Sequence, residues 1–597
     1  MDYLPLALLI RERVEKYKDK DALRYKDGEE WSALTWTEFG DRIDRLSKAL
    51  LKSGVAEGEK VAIFSQNMPE WTITDFSALS VKAVPVPIYA TNTAGQADYI
   101  LNDAEIRFVF VGEQEQYEKA FQLVATNSRI EKIIVFDKSV KLYQSSHSIY
   151  LEDFINDDFD ESLEVELKRR LDLIVGSDLA TLIYTSGTTG EPKGVMLDND
   201  NVLTQLKSHD DLLEVDDSDV SMAFLPLSHI FERAWTYYAL HKGMEVAYLS
   251  NPKSVADAIK EVQPTIVCTV PRFYEKIYNL IYTKLESAPN MKKKLFNWAV
   301  SVGKKHFEFK RKDIPAPWLL QTKYELADKL VFSKIRANLG GKIKMSPCGG
   351  ARLSDDINLF FNAIGVNVKL GYGLTETVAT VATFKGNSFI AGTVGKPLAG
   401  IEIKIAENDE ILVKGGNVMK GYYNKPEKTN EVFTDDGWFR TGDAGKIDAE
   451  GNLIITERLK DLMKTSGGKY IAPQQIETTI GNDHYIEQIA VIGDDRKYVT
   501  ALIVPAFEAL KEYAEQRNIK FDNVKDIVND KRIIDFFKER IDKLQIELAR
   551  FEQIKKFTLL SEEFTIERGE ITPTLKIKRK VILQRYHDLI DKMYIEV

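Results

Sequence analysis

Residues 184–194 read YTSGTTGEPKG. Gly187, Gly190 and Gly194 let a backbone approach a ligand closely and turn its N–H groups inward. Thr185, Ser186, Thr188 and Thr189 add hydroxyls, and Lys193 adds a mobile positive charge. Such a composition suits phosphate. It does not fit the Walker pattern G-x-x-x-x-G-K-[ST], because Pro192 stands where the second glycine belongs and Gly194 follows the lysine. A P-loop ATPase or a kinase is therefore disfavoured. The apolar run 179–184 reads as a buried strand leading into the loop. The loop is then expected at the carboxyl end of a parallel strand, the edge where open α/β sheets bind ligands.

Working outward, short apolar runs recur from about residue 60 to 370: KVAIFS, VKAVPVPI, IRFVFVG, KIIVFD, VSMAFLPL, MEVAYLS and PTIVCTV. Helical stretches such as 254–263 and 354–364 lie between some of them, and Ser354 with Asp355 and Asp356 is a good helix start. The alternation predicts an α/β fold: mainly parallel sheets flanked by helices. After about 390 the pattern turns to period-two strands and frequent glycines, so a smaller β-rich section follows. Beyond ERLKDLMKTSGGKYIAP, strands and helices resume. A boundary near 457–461 divides a large domain, 1–459, from a small mobile α+β domain, 460–597.

With 597 residues the chain can bury a large core without disulfides or metals. Its formal net charge of −10 argues against a general nucleic-acid or anionic-surface binder. The two cysteines, Cys268 and Cys348, lack metal or redox spacing, which suits a reduced cytoplasmic setting. The apolar run 4–10 has no basic lead-in or cleavage site and reads as an amphipathic helix. No apolar stretch reaches the ~18 residues of a membrane span. One segment, 292–312, carries eight lysines and arginines, with Leu295, Trp298, Ala299 and Val302 on one helical face. It reads either as a solvated helix packed on the core or as a surface helix touching anionic lipid.

Two more motifs accompany the loop. YGLTET, 372–377, offers a flat ring in Tyr372, a close-approach Gly373, a hydroxyl in Thr375 and a hard oxygen ligand for Mg²⁺ in Glu376. GWFRTGDAG places Asp443 in a glycine-flanked turn suited to ribose hydroxyls, and Arg458 and Lys460 follow. Together the three motifs resemble the adenylate-forming superfamily over roughly 30–580. The stretches LPLSHIFER, CGGARLS, KTSGGKYIAPQQIE and ITPTLKIKRK are most similar to long-chain fatty acyl-CoA synthetases.

That resemblance implies a two-step reaction: a fatty acid and ATP give acyl-adenylate and pyrophosphate, then CoA displaces AMP. Positioning and charge neutralisation would carry the rate. By resemblance, residues 185–193 wrap the β- and γ-phosphates, Glu376 holds Mg²⁺ and Thr375 touches the α-phosphate. Tyr372 stacks on adenine, with Gly349, Gly350 and Ala351 along its other edge, while Asp443 and Arg458 hold the ribose. His229 borders the acyl carboxylate; a hydrogen-bonded structural histidine is the alternative. Trp235 reads as a tunnel gate or a core residue, with Arg233 similarly open, and Cys348 as a small buried residue. Lys576 matches the family's C-terminal catalytic lysine, although Leu575 replaces the usual preceding glycine and Lys578 competes for the role. Lys460 matches a hinge, and Gly467 and Gly468 lie on the CoA side. The expected partners are ATP, CoA and a long-chain fatty acid, with reversible contact at the inner face of the cell membrane. Rival readings are a ligase for a shorter or aromatic acid and an inactive nucleotide-binding regulator.

Overall fold

The computed structural model describes residues 3–156, 158–185, 191–459, 462–466, 469–546, 548–572 and 576–595. Ser186, Gly187, Thr188, Thr189, Gly190, Lys460, Gly467 and Gly468 lie outside these. The architecture is α/β, with a large domain built on parallel sheets and a separate C-terminal domain.

Two sheets make the large domain's frame. In the first, strands Val84–Tyr89, Lys60–Ser65, Phe108–Val111, Lys132–Val135 and Ser148–Tyr150 lie side by side, all parallel. Four of them are buried almost throughout, as expected of strands covered on both faces. The second sheet has nine strands. At its centre Glu245–Tyr248, Val220–Ala223, Ile266–Val267, Met345–Cys348 and Asn367–Tyr372 run parallel, with antiparallel strands at both edges. Helices close both layers. The helix Trp36–Lys52 starts on a capping box, Thr35 with Glu38, and buries Phe39, Ile43, Leu46 and Leu50. The helix Asp355–Ala363 starts after Ser354, where the sequence places it, although the Ser354 side chain makes no capping hydrogen bond.

The phosphate loop is attached differently from expectation. Strand Leu179–Thr185 pairs antiparallel with Lys193–Asp198, so the loop closes a hairpin rather than ending a parallel strand. That hairpin lies beside Val84–Tyr89, where Thr181 Oγ1 donates to the Pro85 carbonyl at 2.9 Å. Pro85 and Pro87 have no N–H to offer a ladder, which keeps the hairpin out of the parallel sheet. A third strand, Gly421–Tyr422, completes the small sheet.

The β-rich section is a four-stranded antiparallel sheet of Ile401–Ile405, Glu410–Gly415, Phe439–Ile447 and Leu453–Arg458. The C-terminal domain packs helices such as Pro473–Gly481 and Lys531–Leu544 on the sheet Ile486–Ile492, Val499–Pro505 and Ile554–Leu559, around Val491, Ala501, Ile503 and Phe537. It meets the large domain on the helix Pro271–Glu286. Arg272 pairs with Glu487 at 2.9 Å and donates to its carbonyl at 3.0 Å. Lys276 pairs with Glu487 at 3.1 Å, and Asn279 donates to the Asn482 carbonyl at 3.2 Å.

The basic helix runs Asn290–Lys310. It buries Phe296, Ala299, Val300, Val302, Gly303 and Phe307, whereas Leu295 faces out. Three of the four residues of the expected face, Trp298, Ala299 and Val302, pack on the core, and only Leu295 does not. At Gly303 a Cβ would sit 2.6 Å from the Ala363 carbonyl, so only glycine allows this helix so close to Asp355–Ala363.

Candidate active site

The strands of the nine-stranded sheet deliver the motifs to one edge. Ser228 and His229 follow Val220–Ala223, Gly349 follows Met345–Cys348, and Tyr372 ends Asn367–Tyr372. All three are carboxyl ends of parallel strands, where such sheets bind ligands.

After Tyr372 the chain makes a 3₁₀ turn, Thr375–Thr377, held by Leu374 N donating to Thr377 Oγ1 at 3.0 Å. A Cβ on Gly373 would overlap the Ala379 carbonyl, which fixes glycine there. The turn holds Glu376 beside the hairpin. Met419 N donates to the Glu376 carbonyl at 2.8 Å, and the Tyr422 hydroxyl donates to Glu376 Oε1 at 2.9 Å. On the same ring, Lys193 Nζ sits 4.1 Å from the Tyr422 centroid. One tyrosine therefore spaces a cation and a carboxylate. Sequence reasoning missed Tyr422. Its only signal was the glycine-flanked GYYN stretch, and its place depends on Gly421–Tyr422 pairing with Lys193–Asp198.

On the other side, Asp443 and Arg458 are opposed across adjacent strands. Arg458 Nε lies 3.1 Å from Asp443 Oδ1, and the Tyr372 hydroxyl donates to Asp443 Oδ2 at 2.7 Å. Burial and the Asp443 charge keep the Tyr372 hydroxyl protonated. The aromatic ring and the carboxylate are thereby locked together. Gly349 is buried 3.4 Å, measured from its would-be Cβ, from the Gly371 carbonyl. Gly350 takes φ +87°, a region glycine favours, and Ala351 is exposed.

His229 caps the helix Ile230–His241, its Nδ1 accepting from Phe231 N at 3.1 Å. Burial, and then the neighbouring Lys576 ammonium, push its imidazole down to about 4, so the ring is neutral at ordinary pH. Lys576 itself is exposed, in a segment where its N–H donates to Thr572 Oγ1 at 3.0 Å. Lys578 instead caps the helix Arg579–Arg585.

Phe231, Trp235 and Tyr238 from this helix, with Gly371, Val378 and Ala379, wall an apolar cavity of about 50 Å³. Trp235 lines the wall, but its indole N–H donates to Ser221 Oγ at 2.9 Å and the ring is buried. Arg233 turns away into the core. It pairs with Asp75, donates to Thr181 Oγ1 at 2.6 Å, and shares Asp75 with the Tyr237 hydroxyl. It braces the hairpin and two helices, and its role is structural. Cys348 is buried in the cavity wall.

Among the described residues there is no cluster of three or more metal-binding side chains. Glu376 supplies a lone hard carboxylate with one oxygen held by Tyr422, and no described ion pair neutralises it. That donor set fits a Mg²⁺ whose remaining ligands are water and substrate phosphate.

Two family models match the chain: AMP-binding enzyme over residues 10–423 and AMP-binding enzyme C-terminal domain over 460–597. A long-chain-fatty-acid–CoA ligase, FadD15 of Mycobacterium bovis, is 34% identical over 576 residues, covering 94% of this chain and 92% of that protein. Fatty acyl-CoA synthetase A of Dictyostelium discoideum is 30% identical, covering 98% and 90%. The adenylation domain of a Mycobacterium chelonae carboxylate reductase superposes with TM-score 0.77 at 22% identity, over 100% of this chain and 92% of that one. O-succinylbenzoate CoA synthetase of Bacillus subtilis, solved with ATP and magnesium, superposes with TM-score 0.66 at 21% identity, over 97% and 99%. The chain belongs to the AMP-binding, adenylate-forming enzymes, within the branch of the long-chain fatty acyl-CoA synthetases.

Proposed function

We propose that the protein activates a long-chain fatty acid to its CoA thioester with ATP, through an acyl-adenylate. The fatty carboxylate attacks the α-phosphorus and pyrophosphate leaves; the CoA thiol then attacks the acyl carbonyl and AMP leaves. The observation that carries this reading is a phosphate- and ribose-type residue set whose central motif, 372–377, is bracketed by residues of an apolar cavity wall. Lys193 and Glu376 flank Tyr422, Asp443 pairs with Arg458, and Gly371, Val378 and Ala379 line the cavity with Phe231, Trp235 and Tyr238. The names of the relatives support a long-chain acid.

Within this reading Lys193 and the loop hold the β- and γ-phosphates and Glu376 holds Mg²⁺, which would neutralise phosphate charge. Thr375 meets the α-phosphate, and Tyr372 with Gly349, Gly350 and Ala351 encloses adenine. Asp443 and Arg458 bind ribose, and neutral His229 borders the carboxylate. Lys576 neutralises the charge that builds between carboxylate and α-phosphate; its electrostatic contact with His229 favours it over Lys578. The C-terminal domain, 460–597, turns about Lys460 between the two steps and then presents Gly467 and Gly468 to CoA. No helix among the described residues is long and apolar enough to cross a membrane. We place the protein in the cytoplasm, touching the inner face of the membrane reversibly to collect its substrate.

The test is a panel of straight-chain acids from six to twenty carbons and several aromatic acids, with ATP, Mg²⁺ and CoA. AMP and thioester are expected in equal amounts, with the highest kcat/KM among the longer chains. A maximum at short or aromatic acids would reassign the substrate, and no turnover with any acid would favour a nucleotide-binding regulator.

A further inference from the structure

The surface next to the basic helix carries more than charge. After Lys310 the chain turns back into the helix Trp318–Ala327, continued by a π-helical turn, Asp328–Phe332. His306 stacks on Tyr324 at 3.9 Å, so the two helices lie side by side. The inner face of the second helix is accounted for: Leu320, Tyr324, Ala327, Val331 and Phe332 pack on the core.

Its outer face is apolar as well. Trp318 is 78% exposed, Leu319 51%, Leu326 49% and Leu330 38%, with Ile314 just before the helix at 51%. Leu319, Leu326 and Leu330 fall seven and four residues apart on one side of the helix, with Trp318 next to them at its start. A helix apolar on both faces is expected inside a protein, not on its surface. Lysines rim the stripe. Lys312, Lys323 and Lys329 are exposed, and among the described residues none of them meets a carboxylate. Between 304 and 334 there are eight basic and four acidic residues, against a net charge of −10 for the whole chain. An exposed tryptophan at a helix end, leucines along one side and lysines at the margins fit the boundary of an anionic bilayer.

We propose that the outer face of Trp318–Phe332 is the element that enters the membrane surface, with Trp318, Leu319, Leu326 and Leu330 in the acyl boundary and Lys312, Lys323 and Lys329 on lipid phosphates. It deepens the membrane contact of the proposed function and moves it from the expected segment, 292–312, to the following helix. The neighbouring basic helix adds mainly charge, since most of its apolar residues pack on the core and only Met291 and Leu295 face out. A lipid occupant is favoured over a second copy of the chain because a two-fold contact would set this face against itself, basic rim against basic rim, whereas an anionic surface complements it.

The test uses the full-length protein and vesicles of phosphatidylcholine with and without one-third phosphatidylglycerol. Wild type is expected to sediment with the anionic vesicles, more weakly in high salt, and its tryptophan emission should be quenched by brominated acyl chains. The double variant Trp318→Ser, Leu319→Ser should bind at least tenfold more weakly and lose that quenching. Lys323→Glu with Lys329→Glu should lose the anionic preference. Both variants should keep wild-type turnover of detergent-dispersed fatty acid, which reports the active site and the fold separately. Unchanged vesicle binding in both variants, or no binding by wild type, overturns the proposal. So does a wild-type dimer in gel filtration that the Trp318 variant converts to monomer, because the face would then be a contact between copies. If no fatty acid is turned over while binding follows the predicted pattern, the proposed reaction fails and the membrane face stands.

Discussion

Glu487 is the only carboxylate among the described residues that two basic side chains of the large domain's helix Pro271–Glu286 hold from the other domain, and neutralising it is expected to change which half-reaction is favoured. Its side chain is 29% exposed, as is 28% of Arg272, so that pair is partly shielded from water. Lys276 is 61% exposed and adds little. In this arrangement the Lys576 charge acts on the His229 imidazole, the placement that the proposed function asks of adenylation. Glu487→Gln retains the shape and removes the charge. One half-buried pair of this kind is worth about 1 kcal/mol, roughly a fivefold shift away from this arrangement. Burial opposes ionisation of Glu487, but Arg272 and Lys276 outweigh it and hold the carboxyl below its ordinary range. The contact is therefore present at neutral pH and weakens as pH falls through that depressed value. Stopped-flow assays of the separate half-reactions read the effect. Acid-dependent pyrophosphate exchange should fall severalfold, while thioester formation from supplied acyl-adenylate should hold or rise. Lys276→Ala should do much less. Equal loss of both half-reactions, or of neither, would refute the argument that this contact selects between two arrangements.

Other outcomes follow from the site itself. Glu376→Ala should cost about 3–4 kcal/mol of transition-state stabilisation; Tyr422→Phe, which leaves the carboxylate but frees it, should cost roughly tenfold in adenylation rate, about 1.4 kcal/mol. Steady-state pyrophosphate release checks both, and a wild-type rate in Glu376→Ala would remove that residue from the site. Lys576→Ala should lose adenylation and retain thioester formation from supplied acyl-adenylate, whereas Lys578→Ala should do neither; the reverse would move the catalytic position by two residues. His229 has its imidazole depressed in the fold, so the unfolded chain takes up the proton first. Stability should fall as pH drops below about 6.5, by about 3 kcal/mol near pH 4 for this group alone. His229→Gln should flatten that slope in urea unfolding curves, and an unchanged slope would contradict the burial argument.

The motif residues were legible because each sits in a short run whose composition has a local reason: glycines for close approach, a carboxylate in a tight turn, apolar strands leading in. Alternating strands and helices likewise gave the parallel sheets. What the sequence could not show depends on pairing at a distance. Tyr422 lies 46 positions from Glu376 and meets it only because its short strand joins the hairpin. The hairpin's exclusion from the parallel sheet turns on Pro85 and Pro87, which read as ordinary strand residues until their neighbour is known. Arg233 stays open in the sequence because its partner Asp75 lies 158 positions away on another helix. On the basic helix Trp298, Ala299 and Val302 pack inward as their spacing implies, but Leu295 faces out and Gly303 lies inside, because of the close approach to Ala363.

In the proposed reaction an acyl-adenylate forms before CoA takes part. Its most direct test omits CoA: enzyme, Mg²⁺, ATP and a long-chain fatty acid are mixed with labelled pyrophosphate, and label entering ATP is measured. The expected result is exchange that requires the acid, saturates with it, and is accompanied by acyl-adenylate on the enzyme after acid quench. Exchange that appears only when CoA is added, or turnover that yields ADP and phosphate in place of AMP and pyrophosphate, would contradict it.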